Sequence, residues 1–172
     1  MNEVIHSIMT RRSVRAFTDQ PLTKEQVEIL IQAGLCAPSG MNKQTWQLIG
    51  ILNQEIIAKL AKAVEEVLGR EGYNFYNAKT LIITTNEVEG KWSKEDNACA
   101  LENIFLAAHS MGIGSVWINQ LLGQCEDPKI RTILEELGVP VHHEVFGIAA
   151  LGYDVNEAKG QVEKMGQYKI VL

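Results

Sequence analysis

The sequence predicts a layered α/β or α+β domain in which amphipathic helices alternate with four or five short strands. Three stretches carry that prediction. From Gln54 to Leu68, Ile57, Leu60, Ala61, Val64 and Leu68 recur at helical spacing. Thr80-Leu81-Ile82-Ile83-Thr84-Thr85 is β-branched and nearly continuously apolar, the pattern of a buried strand. From Ser93 onward, Ala98, Leu101, Ile104, Phe105, Ala108 and Met111 form an apolar face wide enough for a central helix.

In chain order, Val4, Ile5, Ile8 and Met9 give a short apolar-periodic run that reads as a first helix. It ends at Thr10-Arg11-Arg12-Ser13-Val14-Arg15-Ala16-Phe17, and Thr18 to Leu22 is an extended connection. Thr23 caps a second helix, with Gln26 completing a capping box and Val27, Leu30, Ile31 and Gly34 facing inward. Ala37 to Gln44 is a loop punctuated by Pro38 and Gly40, and Trp46 to Leu52 reads as a buried strand. Gly69 to Asn77 reads as a polar and aromatic, mobile excursion. Ser93 with Asp96 resembles a cap for the central helix, which Gly112-Ile113-Gly114 breaks before the strand Ser115 to Ile118. Asp127 and Pro128 open a helix that Gly138 and Pro140 close. Glu144 to Leu151 is a strand stopped by Gly152, and Tyr168 to Leu172 is a strand-like tail. Such a tail suits a sheet on a neighbouring copy, and so predicts a homodimer.

At 172 residues, with 46% hydrophobic and 22% charged residues, the chain is ordinary for a soluble globular protein. Its net charge of −5 argues against a general nucleic-acid binder, which needs a broad basic face. No stretch approaches the roughly 20 continuous apolar residues of a membrane span. The odd, scattered Cys36, Cys99 and Cys125 show neither zinc spacing nor a disulfide framework, and Met1 is not followed by a basic-then-apolar leader. A reducing cytoplasm is the expectation.

Against this acidic background, three guanidiniums and a hydroxyl at Arg11, Arg12, Ser13 and Arg15 form a candidate anion site, because guanidinium forks match phosphate oxygens. Other chemistry is less well supplied. His142 and His143 are adjacent, and strand neighbours point to opposite faces, so a shared metal ion is not expected. His6 and His109 stand alone on helices. No Gly-x-Ser-x-Gly elbow exists, and Gly112-x-Gly114 lacks a third glycine and precedes a strand. Cys99 is placed on the apolar side of its helix, and Cys125 has only acids beside it. Cys36 is the one thiol retained as a candidate. With no acid–base or nucleophilic constellation, an enzyme built on this chain would rely on a cofactor for its reactive atoms.

Several ordered motifs then resemble the FMN-dependent nitroreductases. Arg11-Arg12-Ser13-Val14-Arg15-Ala16-Phe17 is similar to that family's opening signature, and Ala37-Pro38-Ser39-Gly40-Met41-Asn42-Lys43-Gln44-Thr45-Trp46 to its second motif. Asp96, Ala100, Asn103 and Ala107-Ala108, followed by Gly112 to Ile118, resemble its central helix and following strand. Phe146 to Tyr153 resembles its late strand. The sequence departs from the pattern at Thr45, where proline is usual. It departs again after the late glycine, where Lys159 and Lys164 stand without an arginine.

The resemblance implies a single α+β domain over residues 1–172, a sandwich with a mostly antiparallel central sheet flanked by helices. It also implies a homodimer that exchanges C-terminal segments. Arg11, Arg12, Ser13 and Arg15 would grip the phosphate and pyrimidine edge of FMN. Pro38, Ser39, Gly40, Asn42 and Gln44 would approach the ring from the partner subunit. Ile118, Asn119 and Gln120 would present backbone N–H groups near flavin N5, and Leu151 and Gly152 would lie toward the phosphate. No side chain is assigned a catalytic role and no metal is implied. The implied activity is ping-pong transfer of hydride from NADH or NADPH through FMN N5 to a small electrophilic acceptor such as a nitroaromatic or quinone, without nucleic-acid or membrane partners. The alternatives are a flavin-sequestering protein with little turnover and a phosphate-ligand module without flavin.

Overall fold

The strand His143–Gly152 lies inside the sheet and pairs on both sides. In the computed structural model, which describes residues 2–156 and 165–172, the helices are α1 (Glu3–Thr10), α2 (Lys24–Leu35), α3 (Gln54–Leu68), α4 (Ser93–Ser110) and α5 (Pro128–Glu136). The strands are β1 (Gln47–Ile51), β2 (Thr80–Glu87), β3 (Gly114–Ile118) and β4 (His143–Gly152). Among the described residues they form one four-stranded sheet of order β1-β2-β4-β3. Every neighbouring pair in it is antiparallel.

Apolar side chains alternate across this sheet and both of its faces are covered. Leu81 and Ile83 of β2, with Ile148 and Ala150 of β4, pack against Leu60 and Val64 of α3 and Ile130 and Leu134 of α5. Ile82, Ala149 and Leu151 point the other way, against Val27 and Leu30 of α2 and Leu101, Ile104 and Ala108 of α4. Period-two alternation with two apolar faces explains why β2 reads as a continuous hydrophobic run in an antiparallel sheet. The sandwich expected from the sequence is therefore present.

Helix boundaries follow local chemistry. Thr23 and Gln26 make the reciprocal capping box of α2, Asn53 caps α3, and Asp127 caps α5 ahead of Pro128. The expected cap of α4 is not formed. Ser93 Oγ instead donates to the Glu87 carbonyl (2.7 Å), and Asp96 Oδ1 accepts from the Gly40 N–H (2.8 Å). Both side chains tie the helix start to neighbouring loops, so tertiary bonds replace the local cap.

Two other expectations are corrected. The excursion 69–77 is anchored, because Phe75 is fully buried and lies edge-on to Tyr73 with ring centroids 4.9 Å apart. Cys99 is exposed, since the buried face of α4 runs through Ala100, Leu101, Ile104 and Phe105. Residues 165–172 are exposed and join no strand among the described residues, with Leu172, Val171 and Ile170 uncovered. Lys159 and Lys164 lie outside the described residues. No helix among the described residues is long and apolar enough to cross a membrane.

Phe75 is the anchor that sequence periodicity does not reveal. Phe75→Ala is expected to lower stability by about 3–5 kcal/mol, the usual cost of emptying a fully buried aromatic site, in urea unfolding. A loss below about 1 kcal/mol would show the excursion to be only loosely attached.

Candidate functional site

The arginine segment is positioned by backbone pairing at the edge of the sheet. After α1 ends, the Val14 N–H donates to the Ser115 carbonyl of β3 (2.9 Å), and Ser13 bridges Ser115 in parallel. Four residues later the chain crosses to the end of β4, where the Thr18 N–H donates to Tyr153 (2.7 Å) and Phe17 bridges Asp154. Two glycines that face each other in register, Gly114 and Gly152, permit this close approach. A Cβ on Gly114 would lie 3.0 Å from Val14, and one on Gly152 would lie 3.0 Å from Phe17. The glycines of the sequence motif thus hold the arginine segment against the sheet.

The result is a cavity of about 200 Å³ bordered by Arg11, Arg12, His109, Gly112, Ser115 and Asp154. Its electrostatics are set by opposing contributions. Helices α1 and α4 end here, at Thr10 and Ser110, so two negative helix ends converge beside it. The guanidiniums offset them and supply the donors an anion requires. Each of the two is already paired: Arg11 Nε lies 3.4 Å from Glu102 Oε1, and Arg12 Nη2 binds Asp154 Oδ2. Arg11 also sits over the Phe105 ring, 6.0 Å from its centroid. Arg15 and Ser13 are exposed, and Arg15 makes no ion pair among the described residues.

His109 joins the cavity although it is 98 residues from the arginine motif and nothing in its local sequence marks it. Its Nε2 lies 2.8 Å from Thr10 Oγ1, whose hydroxyl in turn donates to the His6 carbonyl (2.7 Å). With the Thr10 proton committed to His6, Nε2 of His109 is the donor, which assigns the neutral tautomer and leaves Nδ1 as its acceptor. Burial, then the nearby His6, Arg11 and Arg12, hold its pKa below the usual 6.5. His143 is likewise lowered by burial first and then by His142.

The second group of expected residues stands on a separate loop. The Asn42 N–H donates to the Ser39 carbonyl (2.9 Å), and Gln44 donates through its backbone to Ser39 Oγ (3.2 Å) and through its side chain to Asn42 Oδ1 (2.8 Å). Met41, Asn42 and Gln44 all have positive φ, near +50°, a local strain that these bonds support. Gly40 is required here, because a Cβ would lie 2.5 Å from the Trp92 ring. Pro38, Asn42 and Gln44 are exposed. Thr45, in place of proline, donates to Asn86 Oδ1 (2.7 Å) and so joins the loop to β2.

Of the remaining expected residues, Ile118 and Leu151 bury their side chains in the two cores and can offer only backbone to a ligand. Asn119 is exposed, and its N–H is met by Gln120 Oε1 at 3.1 Å. The structure therefore brings Arg11 and Arg12 together around one cavity with Ser13 and Gly152 in the segments that frame it. It does not join the 38–44 loop to that cavity's lining.

The other candidates supply no chemistry. His142 precedes β4 in a turn, so strand alternation does not separate it from His143, and the two rings meet edge-on with centroids 4.8 Å apart. His143 Nδ1 is engaged with Thr85 Oγ1 (3.0 Å), and no group of three potential metal ligands exists among the described residues. Cys125 is buried and accepts from the Val145 N–H, and burial, more than the adjacent Glu144, raises its thiol pKa to about 12. Cys36 is exposed and free.

This sandwich carries an arginine-lined cavity where two helices end beside the sheet edge. Residues 8–153 match the Nitroreductase family, and the chain belongs to that family. It is 32% identical over 164 residues to a candidate NADH dehydrogenase/NAD(P)H nitroreductase of Archaeoglobus fulgidus, covering 91% of this chain and 88% of the relative. An NADPH-flavin oxidoreductase of Vibrio harveyi is 30% identical over 168 residues, covering 89% of this chain and 66% of that protein. Among solved structures, a nitroreductase with bound FMN from Bacteroides fragilis superposes with a TM-score of 0.93 at 38% identity, covering 99% of this chain and 100% of that one.

The depressed histidines give a signed pH dependence. Below about pH 6.5 the unfolded chain binds more protons at His109 and His143 than the folded chain does. Their contribution is full above that value and is lost as pH falls through it toward the folded pKa. Urea unfolding is expected to show lower stability at about pH 5.5 than at about pH 7.5, with both imidazole NMR midpoints below 6.5. Midpoints at or above 6.5 would contradict the assignment.

Proposed function

We propose that this chain is an FMN-dependent NAD(P)H oxidoreductase that works as a homodimer. The observation that carries the reading is the cavity flanked by Arg11, Arg12 and His109, in a chain 38% identical to a nitroreductase structure that holds FMN. A phosphate monoester fits the donor set. Guanidinium forks bind it bidentately, and the glycine-lined wall at Gly112 and Gly114 lets backbone approach it closely.

In this reading Arg11 and Arg12 hold the phosphate, Ser13 assists, and Gly152 keeps the segment seated. Exposed Arg15 supplies positive charge toward the pyrimidine edge of the flavin. The strained 38–44 loop, with Pro38, Ser39, Gly40, Asn42 and Gln44, completes the ring pocket of the partner protomer. Ile118, Asn119 and Gln120 contribute backbone donors. When bound, FMN supplies the hydride chemistry, taking two electrons from NADH or NADPH and passing them to an electrophile such as a nitroaromatic or quinone. The protein's own residues bind, orient and shield; none needs to move a proton as general base.

A dimer is supported by what the isolated chain leaves uncovered. Val4, Ile5, Ile8 and Met9 of α1 are all exposed, and the only buried residue of that helix is Ser7. Tyr168, Ile170, Val171 and Leu172 add a second apolar set in the tail. An amphipathic helix whose apolar stripe faces outward is an interface in want of a partner. These surfaces suit exchange of C-terminal segments between protomers.

Arg11→Ala is expected to weaken FMN about tenfold to a hundredfold in equilibrium dialysis, the scale of a lost charge-assisted contact. Glu102, its partner, is half exposed, so the fold should persist. The loaded wild-type protein should oxidise NADH or NADPH with a nitroaromatic acceptor and give parallel double-reciprocal lines. Failure to bind FMN, or bound FMN without nicotinamide oxidation, would overturn the reading.

A further inference from the structure

The anion cavity carries a fixed negative charge of its own. Of the two carboxylates that pair its arginines, Glu102 is half exposed, only 3.4 Å from a single guanidinium nitrogen, and free to swing into solvent. Asp154 differs. Its side chain is 18% exposed and both of its oxygens are engaged, Oδ2 by Arg12 and Oδ1 by the Asn156 N–H at 2.9 Å. Its backbone is also locked, through the bridge to Phe17 and the Val155 N–H bond to Ala16 (3.2 Å). Asp154 is therefore held against the cavity it lines. A phosphate dianion entering there meets a carboxylate that repels it and that already occupies the guanidinium it would use.

We propose that Asp154 is an internal competitor for Arg12 that weakens binding of the phosphate end of the flavin and so keeps the cofactor exchangeable. The inference rests on the FMN reading above. Arg11 then carries the main attraction, while Arg12 is shared between phosphate and carboxylate. Among the described residues, the groups facing Asp154 are the guanidiniums of Arg12 and Arg11 from the segment after α1 and the neutral imidazole of His109 from α4, with Glu102 beyond Arg11 on α4. Among the described residues, two guanidiniums are balanced by two carboxylates, so this part of the cluster without a ligand has little net charge. Removing the fixed carboxylate should leave one uncompensated positive charge aimed into the cavity.

The test compares FMN with riboflavin, which has the same ring and no phosphate. Asp154→Asn retains an acceptor for the Asn156 N–H, and Asp154→Ser retains a shorter one should the first variant fold poorly. Both are expected to bind FMN about tenfold or more tightly than wild type in fluorescence titrations, with riboflavin affinity changed less than about twofold. FMN dissociation should slow in proportion. Unchanged or weaker FMN affinity in folded variants would overturn the proposal, as would an equal gain for FMN and riboflavin. If wild type binds FMN and the variants match it, only this inference falls. If wild type binds no FMN, the functional reading falls and takes this inference with it.

Discussion

The placement of the functional segment depends on a few backbone hydrogen bonds at the end of the sheet. Val14 to Ser115 and Thr18 to Tyr153 lay residues 13–18 across β3 and β4, and the facing pair Gly114 and Gly152 makes room for them. With larger side chains at either glycine, Val14 or Phe17 would be displaced, and the arginines would lose their position relative to His109. The core supports this arrangement from both sides, since β4 contributes Ile148 and Ala150 to one apolar layer and Ala149 and Leu151 to the other. A rigid, doubly covered strand fixes a short segment, and that segment carries the charge.

The cavity is also an electrostatic compromise. Anion sites commonly use helix N-termini, yet here α1 and α4 present their C-terminal ends. Guanidiniums must therefore supply the attraction, and carboxylates stabilise those guanidiniums when no ligand is bound. Under the proposed function, such a site would hold a dianion without burying uncompensated charge in the free protein. The cost would be competition between the ligand and the site's own acids.

Much of this was legible in the sequence where the signal is local. The period of α3, the capping box at Thr23, the apolar run of β2 and the Gly112 to Ile118 break all appear where their patterns place them. The arginine cluster was visible as a charge anomaly in an acidic chain. What the sequence did not disclose depends on contacts between distant residues. His109 enters the site only because α4 ends beside α1, and Asp154 meets Arg12 across 142 positions. Ser93 and Asp96 have the spacing of a cap, but Glu87 and Gly40 offer them better partners. Phe75 is buried within a stretch whose composition reads as exposed, since one aromatic anchor gives no period.

Under the proposed function, the outward apolar face of α1 and the exposed tail would be covered in a dimer, where the arginine cavity of one protomer and the 38–44 loop of its partner would serve the same flavin. Sedimentation velocity followed at a flavin absorption wavelength tests this most directly, because only the bound cofactor is seen. The account predicts that flavin sediments with a species of twice the 19.1 kDa chain mass across micromolar dilution. Flavin travelling with a single chain would contradict it.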